Sequence, residues 1–147
     1  MFNIENKHYI EWHDIDFRCQ EFLKAFGYSN TTFDAVVGIA RGGMIPATIL
    51  SYGLDVPLKM LLISSFEDGE RKGIKDITDQ ETINYIKTHK VLIVDDIYDT
   101  GQTADYIAEK YPEANFMAIF DKRIEDPDNK YWYVFPWDKD FVEKVDY

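Results

Sequence analysis

The sequence predicts an α/β fold in which a mostly parallel sheet is flanked by helices. Three observations lead there. Short apolar runs at Asp34–Ile39, Leu58–Ser64, Lys90–Val94 and Asn115–Phe120 lack alternation, as strands covered on both faces do. Segments of helical periodicity lie between them, the order that builds a parallel sheet. Three of the runs end in Ala40-Arg41-Gly42-Gly43, in Ser64-Ser65-Phe66 and in Asp95 to Thr103, and ligands of such sheets bind at the carboxyl ends of strands.

The elements follow in order. Ile15, Cys19, Phe22, Leu23 and Phe26 are spaced as one face of a helix over Asp14–Phe26, with Asp14 as N-cap and Gly27 as stop. Asp34–Ile39 reads as a buried strand, and Pro46–Leu54 as a helix with proline in its first turn. Leu58–Ser64 is the second strand. Phe66–Ile77 carries Glu67, Asp68, Gly69, Glu70, Arg71, Lys72 and Gly73 and reads as a polar, mobile loop. Thr82–His89 is a short helix. Lys90–Val94 is the third strand, stopped by Asp95-Asp96. Gly101–Tyr111 is a helix and Asn115–Phe120 the fourth strand. Tyr131–Phe135 forms a fifth strand outside the main sheet. Cys19 falls on the apolar face of the first helix, a core position.

At 147 residues the chain is one domain's worth, and such a length supports one hydrophobic core. Lysine and arginine total 16 against 27 acidic residues, for a net charge of -11. That balance argues against a nucleic-acid or anionic-membrane binder, which needs a positive surface. It leaves room for a small phosphorylated ligand, which needs only a few local donors and a metal ion. The single cysteine excludes an internal disulfide and any multi-cysteine metal centre. His8, His13 and His89 are scattered without metal-ligand spacing. With no membrane-length apolar run and no signal core, the expectation is a cytoplasmic protein.

The most informative segment is Val91-Leu-Ile-Val-Asp-Asp-Ile-Tyr-Asp-Thr-Gly-Gln-Thr-Ala104. A buried strand runs into two adjacent carboxylates, then a third at Asp99, then Thr100-Gly101-Gln102-Thr103. Free N–H groups and the positive end of a helix dipole make such a turn a phosphate cradle. Carboxylates just upstream suit sugar hydroxyls or Mg²⁺, which prefers oxygen ligands. Taken singly, Thr103 or Asp96 reads equally well as part of an Asp-rich helix start. Helix capping does not call for the whole string. There is no Gly-Lys-Ser/Thr and no dinucleotide glycine spacing.

The string resembles the phosphoribosyl-diphosphate signature of type I phosphoribosyltransferases. Gly38-Ile-Ala-Arg-Gly-Gly-Met-Ile-Pro-Ala47 is similar to that family's pyrophosphate loop, and Ser64-Ser65-Phe66 with the charged stretch after it to its catalytic lid. Tyr131-Trp-Tyr-Val-Phe-Pro-Trp-Asp138 resembles the base-binding hood of its bacterial 6-oxopurine-using members. The segments come in the family's order and span nearly the whole chain. The resemblance implies a single phosphoribosyltransferase domain over residues 1–147, with a flexible lid at about 65–77 and a small C-terminal hood at about 128–147.

It also implies a reaction. The 5-phosphoribosyl group of phosphoribosyl diphosphate would pass to N9 of guanine, xanthine or hypoxanthine, releasing pyrophosphate, with Mg²⁺ as cofactor. Asp95 and Asp96 would bind the ribose hydroxyls, directly or through the metal. Asp99 would face N7 of the purine as general base or acid, and a carboxylate there can also stabilise positive charge developing on the ribose. Asp99, Thr100, Gly101, Gln102 and Thr103 would wrap the 5′-phosphate. Arg41 and Gly42 would hold pyrophosphate, with a non-prolyl cis peptide at Ala40-Arg41. Ser65, Phe66 and Arg71 belong to the lid, with Lys72 a second cation there. Lys122 would donate to O6 of the base, Trp132 would stack on it, and Tyr133 and Asp138 would serve its position 2. A homo-oligomer, dimer or tetramer, is the family's habit.

Read without the resemblance, Arg41-Gly42-Gly43 is a flexible turn, Lys122 a solvated lysine in the charged turn Asp121-Lys122-Arg123, and Trp132 a core residue. Asp138 opens an acidic run with Asp140, Glu143 and Asp146 of the kind usually just solvated. The sequence departs from the family at Phe66, where the lid commonly has tyrosine, and at Gln102, where a small residue is common. Two other readings stay open: a nucleotide-sensing regulator with the same fold, and a transferase for another base.

Overall fold

The computed structural model describes residues 6–28 and 31–143. The acidic run beyond Glu143, including Asp146, lies outside them. The central sheet has four parallel strands in the order β3-β2-β6-β7: β2 is Ala35–Ile39, β3 Leu58–Leu61, β6 Val91–Tyr98 and β7 Asn115–Asp121. Val36 pairs with Leu58 on one side and Leu92 on the other, and Asp95 pairs with Ala118.

The unbroken apolar runs are explained by cover on both faces. Val36, Leu92, Val94 and Phe120 pack on one side with Ile15 and Cys19 of α1 (Trp12–Phe26) and Ala47 and Leu50 of α2 (Met44–Leu54). Ala35, Val37, Ile39, Val91 and Ile93 pack on the other, against Ile86 of α3 (Gln80–Thr88) and Ile107 of α4 (Gln102–Lys110). Alternate residues of one strand therefore feed two cores. Cys19 is fully buried, and burial pushes its thiol up to about 12, so it serves as an inert packing group.

The structure corrects several element boundaries. The first helix starts at Trp12, and its N-cap is Glu11, whose backbone N–H donates to Asp14 Oδ2 at 2.8 Å. Asp14 sits at the third helical position, where its carboxylate reaches back as in a capping box. Strand β6 does not stop at Asp95-Asp96 but continues to Tyr98. The stretch expected as a polar loop is an antiparallel hairpin of β4 (Ile63–Asp68) and β5 (Arg71–Asp76), turning at Gly69 with φ +60°. The second predicted strand is thus two strands, β3 and β4.

A further pairing links distant segments. Strand β1 (Lys7–Tyr9) lies parallel to β8 (Trp132–Val134), with Tyr9 opposite Val134 and the Ile10 N–H donating to the Val134 carbonyl at 2.8 Å. The strand expected around Tyr131–Phe135 therefore forms outside the main sheet, with a partner from the other end of the chain. No helix among the described residues is long and apolar enough to cross a membrane.

Candidate active site

Four segments converge on one open cavity of about 890 Å³ at the carboxyl ends of β2 and β6. The turn after β2 contributes Ala40, Arg41 and Gly42. The hairpin contributes Ser65, Phe66 and Lys72. The end of β6 brings Asp95, Asp96 and Tyr98, and the turn into α4 brings Asp99, Thr100, Gly101, Gln102 and Thr103. The expected donor-binding residues are thus assembled together. The Ala40-Arg41 peptide is cis.

Gly101 opens α4 with φ +89°, a left-handed conformation that glycine adopts without penalty. A Cβ there would also stand 2.6 Å from the Tyr98 hydroxyl. The turn is tightened by the Gln102 N–H, which donates to Thr100 Oγ1 at 3.3 Å. The N–H groups of the first turn of α4 thereby face the cavity, together with the positive end of the helix dipole. Across the cavity, Gly42 stands so close to Asp96 that any Cβ would collide with its carboxylate.

Asp95 and Asp96 are the electrostatic centre. Both are half-buried where the strand meets the cavity, and the Asp96 N–H donates to Asp95 Oδ1 at 2.9 Å. Burial pushes Asp95 up to about 8, and the neighbouring Asp96 charge adds to it. Burial likewise raises Asp96, with a contribution from the charge of Asp138. A cation placed between two adjacent carboxylates would favour their ionised form over the protonated one. Oxygen donors in this number suit Mg²⁺, which takes one or two carboxylates and fills its remaining positions from substrate and water.

The residues expected to hold a base lie beside this cavity instead of lining it. Lys122 is not solvated. It opens the short helix α5 (Lys122–Glu125) and is only 4% exposed. Its Nζ donates to Asn129 Oδ1 at 2.5 Å and to the Tyr131 carbonyl at 2.9 Å, and stands 3.5 Å from Asp99 Oδ1. Lys122 thus joins the cavity to the segment that leads into β8. Trp132 is 37% exposed at the start of that strand, whereas Tyr133 is buried, with its ring against His8 and Phe120. Asp138 accepts from the Phe135 N–H at 2.8 Å and closes a turn. Arg71 does not reach the cavity wall; Lys72, one residue on, does. Sequence reasoning passed over Asp126 and Asn129, which organise the Lys122 pocket and carry no motif.

This arrangement can hold phosphate at a helix start, an oxygen-ligated cation at a carboxylate pair, and a ring beside a buried ammonium. The family model of the phosphoribosyl transferase domain matches residues 8–146. The chain belongs to that family, and it is an enzyme of that class. The chain is 32% identical over 126 residues to a xanthine-guanine phosphoribosyltransferase of Cereibacter sphaeroides, covering 79% of this chain and 75% of that protein. It is also 32% identical over 119 residues to one of Desulfotalea psychrophila, covering 72% and 71%. A purine phosphoribosyltransferase structure from Pyrococcus horikoshii superposes with a TM-score of 0.66 at 25% identity, over 90% of this chain and 95% of that one. In the sequence, the segment that resembles the bacterial xanthine-guanine enzymes in particular is the hood stretch Tyr131–Asp138.

Proposed function

We propose that this protein is a purine salvage enzyme. It transfers the 5-phosphoribosyl group from phosphoribosyl diphosphate to N9 of a 6-oxopurine and releases pyrophosphate. The observation that carries the reading is the single cavity in which Arg41-Gly42 faces Asp95, Asp96 and the Asp99–Thr103 turn. The names of the relatives support the choice of base.

The roles are those the resemblance implies, and the shared cavity supports the ones assigned to Arg41, Gly42, Asp95, Asp96 and the Asp99–Thr103 turn. The Asp99–Thr103 turn holds the 5′-phosphate on backbone N–H groups and threonine hydroxyls. Arg41 and the unobstructed N–H of Gly42 hold the diphosphate. Asp95 and Asp96 hold the ribose hydroxyls and Mg²⁺; when bound, the metal neutralises charge on the leaving diphosphate. Asp99 accepts or returns a proton at N7 of the purine and faces positive charge developing on the ribose ring. Lys122 donates to O6, a contact that adenine's 6-amino group cannot accept. Trp132 stacks on the ring, and Tyr133 and Asp138 serve position 2. The hairpin bearing Ser65, Phe66, Arg71 and Lys72 closes over the diphosphate as a lid and excludes water. The enzyme works as a cytoplasmic homo-oligomer.

The test is an assay with Mg²⁺, phosphoribosyl diphosphate and, separately, guanine, xanthine, hypoxanthine, adenine and uracil, reading nucleotide and pyrophosphate. Turnover with 6-oxopurines alone is expected. Asp99→Asn should lower kcat by about 10²–10⁴-fold while leaving donor affinity nearly unchanged. Binding of the donor with no turnover of any base would instead favour a nucleotide sensor.

A further inference from the structure

Lys122 is a buried ammonium with most of its hydrogen-bonding capacity already committed. An ammonium has three N–H donors. One goes to Asn129 Oδ1 at 2.5 Å and one to the Tyr131 carbonyl at 2.9 Å. The third has only long neighbours: Asp99 Oδ1 at 3.5 Å and Asp126 Oδ2 at 3.8 Å, beyond good hydrogen-bond length, and the face of the Tyr133 ring, whose centroid is 5.5 Å away. Asp126 is occupied elsewhere: its Oδ1 accepts from the Lys130 N–H and its Oδ2 from the Tyr131 N–H, each at 2.9 Å. The Asp99 side is therefore where a donor remains to be spent.

The segment that fixes this direction is built for the purpose. Asp126 is only 6% exposed and ties the loop at two N–H groups. The Asn129 N–H donates to the Asp126 carbonyl at 2.9 Å, and Asn129 sits at φ +51°, a left-handed conformation that asparagine tolerates better than most residues. Although Asn129 is an exposed residue, its side-chain oxygen accepts from the buried Lys122 ammonium.

We infer that Asn129, held by the Asp126 loop, is a specificity-positioning residue: with the Tyr131 carbonyl it consumes two of the Lys122 donors and aims the third at the 6-position of the base. This rests on the proposed purine reading, and it extends that reading to a residue with no direct contact to the base. The arrangement favours a 6-oxo acceptor because one N–H is presented without freedom to turn away. A 6-amino group meets a donor there, while the nearby acceptors Asn129 and Tyr131 are already engaged.

The test compares wild type with Asn129→Gly, which removes the oxygen and keeps the left-handed backbone, and with Asn129→Asp, which restores an acceptor. Binding of IMP and AMP is measured by calorimetry, and KM and kcat for hypoxanthine by assay, after circular dichroism and melting have established that each variant is folded. Asn129→Gly should reduce the IMP-over-AMP preference by about tenfold, the loss of roughly one hydrogen bond's alignment. It should raise KM for hypoxanthine more than it lowers kcat, and Asn129→Asp should recover most of the preference. A wild type that prefers IMP alongside an Asn129→Gly variant that prefers it equally would overturn the inference alone. A wild type with no preference for IMP would overturn it together with the base assignment beneath it.

Discussion

The Asp96 carboxylate occupies the space that a side chain at residue 42 would need. The turn after β2 and the end of β6 are thus in contact through a missing side chain. Gly42→Ala must displace Asp96 or the loop, and misplacement on that scale costs about 10²-fold in turnover. The expected result is a kcat/KM for phosphoribosyl diphosphate lower by that factor. The melting temperature should change little, because both groups border the open cavity.

Asp95 connects function with stability. Its carboxyl is raised by burial and by Asp96, so the folded chain keeps a proton that the unfolded chain has released above the ordinary carboxylate range. Stability should therefore fall as pH rises from near 4 to about 8. Asp95→Asn removes that cost. It should raise the melting temperature at pH 8, by about 2–4 °C for each kcal/mol recovered, and leave it unchanged near pH 4. Donor affinity should fall in the same variant. Calorimetry across pH, with and without Mg²⁺ and donor, reads both effects.

Asp76 has the opposite sign. Burial alone would raise its carboxyl, but hydrogen bonds from Lys110 Nζ at 2.8 Å and the Tyr106 hydroxyl at 2.5 Å outweigh it and hold the group well below the usual carboxylate range. These contacts fasten the foot of the β4–β5 hairpin to α4. The stability they contribute is present above the unfolded carboxylate range and lost as pH falls below it. Asp76→Asn should cost about 1–3 kcal/mol at neutral pH, and denaturant curves for the two proteins should converge in acid.

The hairpin itself distinguishes two cations. Lys72 lines the cavity and Arg71 does not. Lys72→Ala should raise KM for phosphoribosyl diphosphate about tenfold, as the loss of a charged hydrogen bond would. Arg71→Ala should change it by less than half as much, and steady-state kinetics on the two variants separates them.

The sheet could be read in the sequence because Val36, Val37, Leu92, Ile93 and Val94 are buried on both faces and leave an unbroken apolar trace. The hairpin could not. In Arg71–Asp76 both faces are polar or half-exposed, so no alternation marks a strand, and its order comes from pairing with β4. Strand β1 is three residues long and depends on a partner more than 120 positions away, a contact that local pattern does not encode. Asp95-Asp96 suggested a strand end because carboxylates are rare inside sheets; here the strand carries them to the cavity. Lys122 was the largest gap between local and tertiary readings. Between Asp121 and Arg123 it has the composition of a solvated turn, and only the folded chain supplies the carbonyl of Tyr131 and the amide of Asn129 that make its burial tolerable.

The parallel pairing of β1 with β8 also sets a schedule for synthesis. Lys7–Tyr9 is synthesised more than 120 residues before the Trp132–Val134 strand it pairs with. The central sheet can assemble in the meantime, since β2, β3, β6 and β7 come from the middle of the chain. The Tyr131 carbonyl that Lys122 binds is made with the last strand. A nascent chain thus carries its phosphate turn before it carries the complete surroundings of Lys122, and the late closure of this long-range contact is the slow kind of step that leaves a new edge waiting for its mate.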